Sequence, residues 1–135
     1  MVTRADWDAA VLREDARFAR YGRPATVLVI EIRAAQPDAV ERIAPRVATI
    51  IREHARETDL VARVSPDHFH VLLPETLDTD AAILVERVKA ATDALVGFDD
   101  DRPITLVGAA VTPGSGSTLA DAIRRATERV ASANE

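Results

Sequence analysis

Apolar residues recur along the chain in two rhythms, one helical and one strand-like, and the switches between them mark out eight elements. Trp7, Val11, Phe18 and Tyr21 fall at helical spacing with Ala10 between them, which predicts a helix over residues 6–21. Thr3 followed by Asp6 resembles a weak capping box at its start, and Gly22 and Pro24 stop it. Residues 25–32 are a nearly continuous apolar run, the pattern of a strand covered on both faces, and Glu31 is the one charge in it. After a break at Gln36-Pro37-Asp38, Val40, Ile43, Val47, Ile50, Ile51 and His54 form one helical stripe. Pro45 lacks the N–H that a helix interior needs, so a kink or restart is expected there, with the firm helix over 46–57. Residues 59–64 and 68–73 are short strands around Ser65-Pro66-Asp67, a hairpin ended by Pro74. Residues 78–95 form an amphipathic helix with Ala81, Leu84, Val85, Val88, Ala91 and Leu95 turned inward. A polar loop over 96–103, a strand over 104–111, a turn over 112–117 and a helix over 118–132 complete the chain.

The resulting order is α-β-α-β-β-α-β-α. A strand–helix–strand unit, a hairpin, then helix and strand predicts an α+β fold. Its expected form is a ferredoxin-like, mainly antiparallel sheet with helices packed on it. A length of 135 residues fits a single domain over 1–135 with a core large enough to stand without disulfides or zinc. With no cysteine, disulfide scaffolds, zinc ribbons, iron–sulfur sites and cysteine nucleophiles are excluded. A net charge of −5 argues against nucleic acid as a partner and against docking on anionic lipid. No apolar run is long enough to span a bilayer and no signal peptide is visible at the N-terminus, so a cytoplasmic protein is expected. Lys89 is the only lysine against 16 arginines, so any single Arg carries a discounted meaning.

The hairpin Arg63-Val64-Ser65-Pro66-Asp67-His68-Phe69-His70-Val71-Leu72-Leu73-Pro74-Glu75-Thr76 resembles a degenerate form of the signature hairpin of the GGDEF family, the diguanylate cyclases. That signature is a Gly-Gly-Asp/Glu-Glu-Phe turn followed by a short strand ending in Leu-Pro-x-Thr. Other segments agree in order and spacing. Arg20-Tyr21-Gly22-Arg23-Pro24 precedes the first strand, Glu31-Ile32-Arg33 stands where Asp-x-Asp is usual, and residues 56–63 lead into the hairpin. Residues 107–111 and 118–126 resemble the closing strand and helix. The resemblance runs over about residues 7–134 and implies a nucleotide-cyclase-like fold.

The family joins two GTP molecules into cyclic di-GMP, so the resemblance makes function a question of which parts survive. Ser65 and Pro66 replace the paired glycines, whose freedom lets backbone approach the nucleotide. Glu31 and Asp67 stand at the family's metal positions and keep two carboxylates, a vestigial Mg²⁺ site. Arg33 and His68 replace two further acids, Phe69 keeps its place, and the loop over 34–38 is about seven residues short of the family's nucleotide loop. The family's C-terminal phosphate-binding Lys falls at Asn134. Such losses remove the positioning and charge neutralisation on which phosphoryl transfer depends. The implied protein is a catalytically inactive signalling domain that works through a protein partner or homodimer, or as a cyclic di-GMP receptor. The receptor site would be the family's inhibitory Arg-x-x-Asp arrangement, with Arg56, Asp59 and Arg87 as its residues. The alternative is a residual GTP- and Mg²⁺-binding cyclase.

Plainer roles are available for the same residues. An Arg at a helix end is favoured by the dipole alone, and Glu31 could pair with Arg33 or Arg63. His68 and His70 share a strand face, where they could chelate a transition metal but more simply serve as polar positions facing the turn. Trp7, Phe18 and Tyr21 read as core or dimer-face residues, and Gly114-Ser115-Gly116 as a plain loop without the Lys of a phosphate cradle.

Overall fold

The structure is a computed structural model that describes residues 1–96, 104–114 and 116–133. Its elements are α1 (Arg4–Tyr21), β1 (Ala25–Ala34), α2 (Pro37–His54), β2 (Leu60–Ser65), β3 (His68–Pro74), α3 (Asp78–Val96), β4 (Ile104–Val111) and α4 (Leu119–Ser132). The expected loop over 96–103, Ser115 and Asn134 lie outside the described residues, apart from the backbone of Val96. Four strands form one sheet in the order β2-β3-β1-β4, antiparallel throughout. This is the ferredoxin-like arrangement that the element order implies.

The two sides of β1 divide the core. Leu28, Ile30 and Ile32 pack with Phe69, Val71 and Leu73 under α2 and α3, whereas Val27 and Val29 pack with Leu72 under α1 and α4. Both faces are thus covered, which is why β1 carries no polar alternation until Glu31. On the α1/α4 side the run leaves the core at that point, where Glu31 and Arg33 are half-buried, while Ile32 stays in the core on the other side.

Local signals set the element ends. Thr3 accepts from the Asp6 N–H at the start of α1, and Gly22 ends it at φ 68°, a left-handed turn that glycine takes without penalty. Thr118 and Asp121 form a complete capping box on α4. The expected restart at Pro45 does not occur, and α2 runs unbroken from Pro37. Pro45 lies on the exposed face of the helix, so the carbonyl it leaves without a partner faces water rather than core. Pro37 opens the helix at a position where its missing N–H has no partner to lose.

No helix among the described residues is long and apolar enough to cross a membrane.

Candidate functional site

Two cavities hold the residues that the sequence singles out. The larger, about 850 Å³, opens where the end of β1 meets the β2–β3 turn and the start of α2; its walls include Glu31, Arg33, Ala35, Glu41, Pro66 and Asp67. The turn is tight because β2 ends at Ser65 and β3 starts at His68, leaving Pro66 and Asp67 as the loop. Register then brings the turn to β1: His68 sits opposite Glu31, and the Ile32 N–H donates to the Asp67 carbonyl at 2.8 Å. Donor atoms of Glu31, Asp67 and His68 lie within 4.8 Å of one another.

His68 is the centre of this cluster. Its Nδ1 lies 2.8 Å from Asp67 Oδ1 and its Nε2 3.3 Å from Glu31 Oε2. Ser65 Oγ donates to the same Asp67 oxygen at 3.0 Å. Partial burial pushes the Asp67 carboxyl up, but the hydrogen bonds from His68 and Ser65 outweigh it and hold the group below the usual carboxylate range. The expectation that His68 is an ordinary polar residue facing the turn therefore misses its contacts with two carboxylates. His70, one step further in, does not join the cluster. It packs against the Trp7 ring with centroids 5.7 Å apart, and its Nδ1 is buried without a partner. Burial chiefly, aided by Arg4 and His68, lowers its pKa to about 4.

Arg33 spans the back of this region. Its Nε donates to Glu31 Oε1 at 2.5 Å, while its two Nη groups donate to the Val130 and Ala133 carbonyls at 2.6 and 2.9 Å. A guanidinium thus closes the carbonyl end of α4, where a cation is favoured by the helix dipole. Of the two partners expected for Glu31, Arg33 is the one used. Arg63 instead donates to the Pro66 carbonyl and to Glu41. Only Ala35 and Gln36 separate β1 from α2, so no long loop joins these two elements beside the cavity.

The smaller cavity, about 270 Å³, lies between the end of α2, the end of β3 and the start of α3. Arg56, Asp59 and Arg87 all line it, with Thr76, Asp80 and Ile83. Asp59 holds the turn before β2: its Oδ2 accepts from the Arg56 N–H at 2.7 Å and its own N–H donates to the Arg56 carbonyl at 3.0 Å. Its side chain is only 2% exposed, and Oδ1 has no hydrogen bond, with Arg56 Nη2 3.7 Å away. Burial raises the Asp59 pKa against the opposing Arg56 N–H and guanidinium. Arg56 also donates to the Pro74 carbonyl and to Thr76 Oγ1. Thr76 is itself anchored, because Thr26 in the core donates to its carbonyl at 2.5 Å. Glu75, at φ 54°, is held in a left-handed turn by its N–H to the Pro24 carbonyl and by Arg23 on its carboxylate. Arg87 projects from α3 with no ion pair among the described residues. Of the aromatic residues of α1, Trp7 is buried and Phe18 half-buried, whereas Tyr21 is 63% exposed.

The family model for the GGDEF domain of diguanylate cyclases matches residues 37–135. No curated protein matches the chain by sequence. Among solved structures, the GGDEF domain of DgcB from Caulobacter crescentus in complex with c-di-GMP superposes with a TM-score of 0.79 at 15% identity, covering 95% of this chain and 82% of that one. The active GGEEF domain of a diguanylate cyclase from Vibrio cholerae gives 0.76 at 18% identity, over 88% and 81% of the two chains. The diguanylate cyclase SiaD from Pseudomonas aeruginosa, in complex with its activator SiaC, gives 0.76 at 22% identity, over 91% of this chain and 51% of that one. At these identities the superpositions speak for the fold, and together with the family match they place this chain in the GGDEF domain family.

Proposed function

We propose that this GGDEF domain is catalytically inactive and acts as a cyclic di-GMP receptor through Arg56, Asp59 and Arg87. The observation that carries the reading is the convergence of these three residues, two from the α2–β2 turn and one from α3, on one cavity. Arg56 and Arg87 offer guanidinium forks for phosphate. Asp59 Oδ1 is a buried acceptor with no hydrogen bond, ready for the N–H edge of a guanine base. At about 270 Å³ the cavity is smaller than the roughly 300–1,000 Å³ that encloses a drug-sized ligand, so it grips one end of the dinucleotide and leaves the other for a second protomer. Related GGDEF structures carry the same compound, as in DgcB and in a further microbial GGDEF domain described with a novel mode of interaction.

Inactivity rests on the other cavity. Pro66 offers no N–H and Ser65 brings a side chain where the family has open backbone. The one guanidinium lining that cavity among the described residues, Arg33, donates to Glu31 and to the end of α4. Electrostatic stabilisation of a transferring phosphoryl group therefore lacks its donors.

Calorimetric titration with cyclic di-GMP tests the receptor reading. Truncating a charge-assisted phosphate contact costs about 1.5–3 kcal/mol, a ten- to hundredfold loss of affinity. Arg87→Ala, which breaks no internal ion pair, and Arg56→Ala should both show it, and Ser65→Ala should not. A flat trace at high micromolar ligand overturns the receptor reading. Ile83, 51% accessible in the lining of the same cavity, and Leu77, 52% accessible and next in sequence to the lining residue Thr76, then favour a protein-interaction module.

A further inference from the structure

The family's Mg²⁺ does not suit the donors around the hairpin turn. Mg²⁺ asks for an octahedron of oxygens. Here one of the three donors is an imidazole, and one oxygen of Glu31 is already held by Arg33 at 2.5 Å. The same arrangement meets the requirements of a different class of cation.

The orientation of His68 is decisive. Asp67 Oδ1 lies 2.8 Å and Ser65 Oγ 3.1 Å from Nδ1; with Nδ1–H donating to the carboxylate, the shorter contact, Nε2 carries a lone pair. That lone pair faces Glu31 Oε2 at 3.3 Å. In that tautomer two electron-pair donors face each other across 3.3 Å, an arrangement that a cation between them satisfies. Ligands about 2.0–2.1 Å from a tetrahedral ion stand ~3.3–3.4 Å apart, which is the separation observed. A carboxylate on the far nitrogen of a ligating histidine is also the usual device that fixes its tautomer and raises its basicity.

We propose that Glu31 and His68, with Asp67 orienting His68, form a binding site for one borderline divalent transition-metal ion of the Zn²⁺, Co²⁺ or Ni²⁺ kind. Imidazole with carboxylate is a donor set suited to such ions, and Arg33 restricts Glu31 to a single ligating oxygen. The remaining coordination positions open to the cavity beside the turn, where water completes the shell. His70 takes no part because it is turned under α1 against Trp7. The site stands independently of the cyclic di-GMP reading, since Arg56, Asp59 and Arg87 line the other cavity.

Titration of the full chain with Co²⁺, followed by its visible ligand-field absorption, tests the proposal. One equivalent should bind, Zn²⁺ should displace it, and a hundredfold excess of Mg²⁺ should not. His68→Gln and Glu31→Gln should each abolish the signal, and Asp67→Asn should weaken binding roughly 10–100-fold. His54→Gln, at the exposed end of α2, should leave it unchanged. Far-UV circular dichroism checks that each variant is folded, and either of the two ligand variants suffices if the other is not. Absence of Co²⁺ uptake, displacement by Mg²⁺, or an undiminished signal in a folded ligand variant overturns the proposal.

Discussion

Replacing Arg33 by Met keeps the aliphatic stem and removes the guanidinium. Among the described residues three hydrogen bonds go with it, to Glu31, Val130 and Ala133 at 2.5, 2.6 and 2.9 Å. Hydrogen bonds from a charged group contribute about 1.5–3 kcal/mol each when their partners are left buried. Here the discount is large. The Arg33 side chain is 27% exposed and Glu31 19%, and the α4 carbonyls lie in its last turn, where water can replace the lost donor. The helix-end interaction alone reaches up to ~2 kcal/mol in a partly buried setting. A net destabilisation of about 2–3 kcal/mol follows. For a chain of this size each kcal/mol moves Tm by roughly 3–5 °C. Arg33→Asp, which restores the residue type usual at this position in the family, sets a second carboxylate beside Glu31 at the negative end of α4. It should cost more, and added salt should recover part of the loss. Urea unfolding at neutral pH with an unchanged m-value reads the effect. An Arg33→Met midpoint within about 0.5 kcal/mol of the parent would refute the idea that this guanidinium clamps α4.

Three further outcomes follow from the same structure. Incubation with GTP and Mg²⁺ or Mn²⁺ should give no cyclic di-GMP by chromatography, and product at roughly 1 per second would overturn the inactive reading. His70 is neutral in the fold with its pKa near 4, so its contribution is present above its ordinary value of 6.5 and is lost as pH falls through 4. Full protonation should cost on the order of 3 kcal/mol, and His70→Phe should flatten the stability profile between pH 6.5 and 4. A Cβ at Gly108 would lie 2.8 Å from a methyl of Val85, a stiff buried side chain, so Gly108→Ala should lose about 1–3 kcal/mol and Val85→Ala in the same chain should recover part of it.

The framework was legible because each strand and helix announces itself locally. The apolar run of β1, the Ser65-Pro66-Asp67 punctuation and the stripe on α2 need no tertiary knowledge. Pro45 misled because the penalty for proline depends on which face of the helix it occupies, and the outward face tolerates it. The convergence of Arg56, Asp59 and Arg87 was suggested only by spacing shared with a family, since no local pattern brings α3 to the α2–β2 turn. Two features were not legible. Arg33 reaches carbonyls 97 and 100 residues along the chain, a contact with no sequence signal. His68 gains Glu31 through strand register, and the alternation of β3 says which face His68 occupies but not what lies across from it.

Titration of ¹⁵N-labelled protein with cyclic di-GMP, followed amide by amide, tests the central claim most directly. Shifts confined to Arg56, Asp59, Thr76 and the Arg87 turn of α3, with Glu31 and Ser65 to His68 unmoved, are the predicted result. Shifts centred on the 65–68 turn and the end of β1, or none at saturating ligand, would contradict it.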